Sequence, residues 1–391
     1  MTRDRRADER PVASKPDDTA PSKGAGREPG NGTDSPSVAR LVGLMRELQS
    51  RQRERDAARK ASAGSGQEGK EKGGHEKSGN EKGSASKSSE GKDDASEQPP
   101  AVQAGSHDQP ENPLPRDQLS KPGDESRLTL APRYKAPDYR GSGKLQDMVA
   151  IVTGGDSGIG RAVAVLFARE GADVAVIYLN EHDDARQTAD DVRAEGREAL
   201  TLAGDVRDPE WCREAVAQVV ERFGRLDVLV NNAAFQLHAH DLSDLDPERV
   251  DLTLSINIQG YFNMARAAVP QLSKNGSIIN SGSVVGFQGS KHLLDYAASK
   301  GAIHAFTKSL ASNLLPDGIR VNAVAPGPVW TPLNPADRPP EEVEQFGAHS
   351  DMKRVAQPEE IAPAYVFLAS PSCASYISGI VLPITGSVGA Y

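Results

Sequence analysis

The stretch Val149-Ala150-Ile151-Val152-Thr153-Gly154-Gly155-Asp156-Ser157-Gly158-Ile159-Gly160 decides the architecture of this chain. Its first five residues, mostly β-branched, read as a buried strand. The glycines that follow read as a turn into an amphipathic helix over Arg161–Glu170. Gly154, Gly158 and Gly160 suit such a turn, which needs a tight bend, close approach of a pyrophosphate, and close contact between helix and strand. The helix N-terminus adds free N–H groups and a partial positive charge for phosphates.

Outward from that turn, the pattern repeats. D-V-A-V-I-Y, E-A-L-T-L-A, D-V-L-V-N, S-I-I-N-S, I-R-V-N-A-V-A and I-V-L-P-I are short apolar runs without consistent alternation, as parallel strands covered on both faces require. Amphipathic segments such as Pro209–Phe223 lie between them. Strand and helix in alternation imply right-handed crossovers. The expected fold is α/β: a single Rossmann-like, doubly wound domain with a seven-stranded parallel sheet over residues 145–391.

The N-terminal third differs in kind. All 18 aromatic residues fall at or after Tyr134. Residues 1–130 are rich in Gly, Ser, Lys, Glu, Asp and Pro, so they read as a disordered low-complexity tail, followed by an extended arm at 131–144. One helix is expected in the tail, at about 36–60. Ser35-Pro36 suits a helix start, and Val38, Leu41, Val42, Met45 and Leu48 follow helical spacing. It reads either as a docking helix, for a partner or for the protein's own surface, or as a transient helix in a disordered arm.

The charges of the tail nearly cancel, so the formal net charge of −9 resides mainly on the folded part and argues against nucleic acid as the main partner. The start M-T-R-D-R-R-A-D-E-R has no apolar leader core, and no apolar run approaches the roughly 20 residues of a membrane span. Cys212 and Cys373 show no metal or redox spacing. A reduced, cytoplasmic protein away from membranes is expected.

Tyr296 and Lys300 lie one helical turn apart in Y-A-A-S-K, and Ser283 precedes the tyrosine by 13 residues. A tyrosine works as a general acid or base near neutral pH only if its pKa falls from about 10, and a cation one turn away can lower it. His238, His240, His292 and His304 show no convincing ligand spacing and no accompanying carboxylate cluster. They read as surface or pocket-wall residues, and no catalytic metal is expected.

With these motifs in place, residues 145–391 resemble the short-chain dehydrogenase/reductase family. Thr153–Gly160 match its T-G-x-x-x-G-I-G, Asn231–Ala234 its N-N-A-G with alanine in the last place, and Pro326-Gly327 with Thr331 its P-G loop. The runs Y-R-G-S-G-K-L, T-G-G-D-S-G-I-G, V-W-T-P-L and Q-P-E-E-I-A-P-A-Y-V-F-L-A-S narrow the resemblance to a bacterial stress-associated subgroup with an N-terminal extension. The terminal run Ile384-Thr385-Gly386-Ser387 departs from the V-D-G-G-like turn frequent in the family.

The resemblance implies a homotetramer and an NAD(P)-dependent hydride transfer between nicotinamide and a carbonyl or alcohol. Tyr296 would be the acid or base, and Lys300 would lower its pKa and bind the nicotinamide ribose. Ser283, preferred over Ser281, would donate to the substrate oxygen, and Asn257 would hold a water on the proton path. Around the cofactor, the implied residues begin with Thr153, Gly154, Ser157, Gly158, Ile159 and Gly160. Tyr178, Asn180 and Glu181 follow at the second strand's end, then Asp205 and Val206, then Asn232 and Ala233. Tyr296, Lys300, Pro326, Gly327, Val329 and Thr331 complete the set.

NAD is expected over NADP, because no arginine or lysine stands at the second strand's end or before the turn's second glycine. Substrate contacts are expected from Val284, Val285, Gln288, His292, Phe235 and Gln236, with a lid over Trp330–Phe346. An aldehyde, a ketone or a sugar would fit. The alternatives are a 3-oxoacyl thioester reductase, or a non-catalytic cofactor-binding stress or scaffold protein.

Overall fold

A computed structural model describes residues 34–65 and 100–387. Seven strands form one parallel sheet: β1 Val149–Thr153, β2 Asp173–Tyr178, β3 Ala199–Ala203, β4 Leu226–Asn231, β5 Leu272–Ser281, β6 Arg320–Pro326 and β7 Val381–Ile384. Their order is β3-β2-β1-β4-β5-β6-β7, as expected for a doubly wound domain. The chain reverses direction across the sheet between β1 and β4, which opens a crevice beyond their carboxyl ends.

The helices are α1 Pro36–Ser65, α2 Gly158–Arg169, α3 His182–Ala194, α4 Pro209–Phe223, α5 Pro247–Leu254, α6 Gly260–Ala268, α7 Val285–Gln288, α8 Leu294–Leu314, α9 Pro340–Glu344 and α10 Pro358–Ala369, with a final short turn after them. Two layers cover the sheet. Leu166 of α2, Val192 of α3 and Tyr365 of α10 pack on one face, against Val152, Val176 and Ile279. Val216 of α4, Met264 of α6 and Leu314 of α8 pack on the other, against Ile151, Ile177 and Val321. The central strands are buried throughout, which is why their sequences lack alternation.

The reading of residues 1–130 as a tail needs correcting for its described parts. Residues 1–33 and 66–99 lie outside the described residues, but 34–65 and 100–130 pack on the domain. Leu41, Met45 and Leu48 of α1 join Phe235, Leu237, Leu252 and Ile256 in one cluster. Leu114, Leu119 and Leu128 join Trp330, Ala336, Val343 and Val355 in another. Each buried leucine contributes about 1.5–3 kcal/mol. The segment has no core of its own, and its apolar partners lie in the domain, more than 100 residues away in the sequence.

Polar contacts align α1. Gln49 Nε2 donates to the carbonyls of Leu119 and Ala336, at 3.0 and 2.7 Å. Arg55 spans both carboxylate oxygens of Asp246, and Arg59 both of Asp244. Of the readings open to this helix, docking on the protein's own surface is the one that these contacts match, and a transient helix in a disordered arm is not.

Candidate active site

The crevice is built from the fingerprint upward. Thr153 ends β1, and its Oγ1 accepts from the backbone N–H groups of Asn232 (2.8 Å) and Ala233 (3.0 Å). Asn232 Nδ2 donates to the Gly154 carbonyl at 3.0 Å, so the turns after β1 and β4 are tied together. A Cβ on Gly160 would lie 1.9 Å from that carbonyl. Gly158 has φ +51°, and a Cβ there would press on Thr331. Only glycines leave this cradle open, and it fits a phosphate at the N-terminus of α2.

Two pockets meet along the crevice. The first is lined by Gly154, Ser157, Gly158, Ile159, Tyr178, Glu181, Asp205, Val206, Asn232, Ala233 and Thr331. Asp205 also accepts three hydrogen bonds from the Arg207 guanidinium. Burial pushes Glu181 up to about 8, with Asp156 adding to the effect, and burial pushes Asp156 up to about 6. No lysine, arginine or histidine lines this pocket among the described residues. Thr153 and Gly160 sit behind its wall, and Asn180 lies beside it rather than in it.

The sequence carried no signal for several residues here. Leu41 and Met45 of α1, with Pro122 and Gly123, complete the first pocket. Glu125 reaches the start of α2, where its Oε2 accepts from the Gly158 N–H at 2.6 Å and its Oε1 from Arg161 at 2.7 Å. Burial pushes Glu125 up to about 7, against the pull of Arg161. No pattern in the sequence points to a carboxylate 33 residues upstream of the turn it caps.

The second pocket, with a cavity volume of about 340 Å³, holds Ser283, Tyr296 and Lys300, with Pro326, Gly327 and Val329. The Ser283 hydroxyl lies close enough to the Tyr296 phenol to favour its ionised form. Lys300 Nζ donates to the Ser281 carbonyl at 2.7 Å and lies 5.3 Å from the Tyr296 ring centroid. Ser281 Oγ is engaged elsewhere, with Asn232 Oδ1 at 2.9 Å and Tyr365 at 2.6 Å, so Ser283 is the serine left facing Tyr296.

Burial raises the Tyr296 phenol, with the Ser283 hydroxyl opposing it, and pushes Lys300 down to about 7. The expected depression of the tyrosine by the lysine is thus not the dominant effect. Both groups lie out of water, and each is driven toward its neutral form.

Three other expected features take their places as follows. Asn257 sits in the π-helical turn Ser255–Gln259 between α5 and α6. Its Nδ2 donates to the Phe235 carbonyl (2.9 Å) and Ser299 Oγ (3.0 Å), while its Oδ1 accepts from the Phe235 N–H (2.7 Å). The side chain braces the loop after β4, and its Oδ1 keeps a second acceptor position beyond the one that the Phe235 N–H fills. His304, read as surface or pocket wall, lies beneath Ser283, and burial first, then Lys300, push it down to about 4. The segment expected as a lid is anchored: Trp330 is fully buried and donates to the Leu130 carbonyl.

Of the proposed substrate residues, Val284, Val285, Gln288 and Gln236 line the second pocket. Phe235 packs on α1, and His292 hydrogen-bonds the Ala239 backbone instead. The far wall is polar, with Asn334, Arg338, His349 and Ser350. No helix among the described residues is long and apolar enough to cross a membrane.

Comparison with known proteins agrees with this geometry. Residues 154–387 match a family model described as Enoyl-(Acyl carrier protein) reductase. General stress protein 39 of Bacillus subtilis is 46% identical over 69% of this chain and 94% of its own length. The glucose and ribitol dehydrogenase of Daucus carota is 47% identical over 70% of this chain and 95% of its own. Among solved structures, a short-chain dehydrogenase from Burkholderia cenocepacia in complex with NADP shares 35% identity at a TM-score of 0.59, covering 63% of this chain and all of that one.

The chain belongs to the short-chain dehydrogenase/reductase family and resembles its bacterial stress-associated members. It is an NAD(P)-dependent oxidoreductase.

Proposed function

We propose that the enzyme moves a hydride between NAD(H) and a small carbonyl or alcohol substrate, with Tyr296 exchanging the proton. The carrying observation is the meeting of the Ser283 and Tyr296 hydroxyls in one pocket, with Lys300 behind them. Bound nicotinamide supplies or takes the hydride at the substrate carbon. In reduction, Tyr296 donates its proton to the substrate oxygen, which also accepts from the Ser283 hydroxyl. The Lys300 ammonium offsets the negative charge that forms on the tyrosine. Asn257 keeps the pocket wall in place through Phe235.

The substrate class follows from the far wall. Gln236, Asn334, Arg338 and Ser350 each make a hydrogen bond within the protein, and the Arg338 Nε is buried without a partner, so substrate hydroxyls can pair with that donor and with the remaining acceptor positions of this wall. A sugar or polyol fits best, and simple aldehydes and ketones are accepted more weakly. The sugar and polyol in the name of the Daucus carota relative support this reading.

The preference for NAD rests on the first pocket. A 2′-phosphate near the end of β2 meets Glu181 and Asp156 and no cation. The Burkholderia neighbour holds NADP, so cofactor choice is read from this chain's own residues. A homotetramer is proposed from the family resemblance. Phe262 of α6, half-exposed and stacked on Phe306 of α8 at 4.0 Å, supports an interface on that face.

The test is initial-rate oxidation of NADH and NADPH, side by side, against sugars, polyol-derived ketoses, aldehydes and ketones. The expected result is a kcat/KM at least about tenfold higher with NADH, and highest for a hydroxylated carbonyl. A higher kcat/KM with NADPH refutes the cofactor reading, and a preference for plain aldehydes refutes the substrate reading.

A further inference from the structure

Asp56, near the C-terminal end of α1, faces two histidines on the loop after β4. Asp56 Oδ2 lies 3.3 Å from His238 Nε2, and Asp56 Oδ1 lies 3.5 Å from His240 Nε2. One ligand atom from each of the three residues falls within 4.8 Å of the others. Neither distance to Asp56 is a hydrogen bond, and His238 Nε2 is buried without a hydrogen-bond partner.

The other side of His238 explains why this matters. Its Nδ1 lies 3.1 Å from Asp337 Oδ1, and its backbone N–H donates to the same oxygen at 2.6 Å. Asp337 can only accept when ionised, so Nδ1 carries the proton. Nε2 then faces the Asp56 carboxylate, where either a second ring proton, opposed by burial and favoured by Asp337 and Asp56, or a metal ion can sit. Two electron-rich atoms at 3.3 Å repel unless a cation lies between them.

The nearby guanidinium groups are committed elsewhere: Arg55 to Asp246, Arg59 to Asp244 and Arg249 to Asp295. Among the described residues, Asp56 Oδ1 accepts a hydrogen bond only from Gln52, at 2.9 Å.

We propose that Asp56, His238 and His240 bind a zinc ion that clasps α1 to the domain. Two imidazoles and one carboxylate are a zinc donor set. Metal–ligand bonds of about 2.0–2.1 Å in a tetrahedron place ligand atoms about 3.3–3.4 Å apart, close to the separations seen here. Asp337 on the far nitrogen of His238 is the outer carboxylate that orients such a ligand and balances charge. The His240 side chain is one-third exposed, so the ion has a way in and a solvent-facing fourth position for water.

The consequence reaches the cofactor crevice. Met45, which lines the first pocket, lies about three turns along the same helix from Asp56. Zinc at one end of that rigid element holds the apolar cover at the other end in place.

Isothermal titration of zinc sulfate into the EDTA-treated, dialysed full-length protein tests this. Wild type is expected to bind one equivalent, and Asp56→Asn and His240→Gln each to weaken binding by at least about tenfold. Both residues are partly exposed and outside the proposed catalytic set, and circular dichroism checks that both variants fold. No binding by the folded protein, with a proton in place of the metal, overturns the proposal. So does wild-type affinity in either variant.

Discussion

The two pockets of the crevice are walled by different kinds of group. In the first, glycines, backbone and buried carboxylates meet an apolar cover brought by α1 and residues 122–123. In the second, Ser283, Tyr296 and Lys300 face a wall of amides and an arginine, all from the domain itself. The first pocket is therefore shaped for a ligand held by shape and backbone, and the second for a reacting oxygen held by donors. The contrast also separates what is common to the family from what this chain adds, since the added helix touches only the first pocket.

The contrast can be broken most sharply at Tyr296. Tyr296→Phe removes the proton donor and leaves the first pocket intact. Turnover is expected to fall by about 10²–10⁴-fold, while NADH affinity measured by fluorescence titration stays within about twofold. Unimpaired turnover ends the assignment of Tyr296.

A smaller effect is expected from pH. Burial pushes Lys300 down to about 7, so its ammonium is lost as pH rises through that value. Tyr296 is raised, so it remains protonated over the same range. Reductive kcat/KM is therefore expected to decline above about pH 7, by up to tenfold per unit. A profile flat from pH 6 to 9 removes Lys300 from that role.

The smallest effect sharpens the comparison from the other side. Met45→Ala trims the cover of the first pocket without reaching the second. NADH binding is expected to weaken by a few-fold, with kcat unchanged. A change in kcat with unchanged affinity would place α1 in contact with the chemistry instead.

Legibility followed the same divide. The strand-turn-helix of Val149–Arg169, the seven apolar runs and the Ser283, Tyr296, Lys300 set all rest on neighbours a few residues apart or on motif spacing. They are readable because backbone periodicity and local chemistry act over short stretches. The helix at about 36–60 was readable for the same reason, from five apolar residues on one face. Its place of docking was not. Asn257 was readable as a position but not as a contact, because its amide partners Phe235 and Ser299 come from other elements.

The sequence by itself determined the α/β class, the burial of the parallel strands and the candidates for the reacting side chains, because each is encoded locally. Only the tertiary structure decided that residues 100–130 and α1 belong to the folded body. It alone placed Glu125 on the Gly158 N–H and Asp56 opposite His238 and His240. The physical reason is that such contacts join segments 33 to nearly 200 residues apart. Loop closure costs grow only slowly with that separation, so the chain leaves no mark near either partner to announce it.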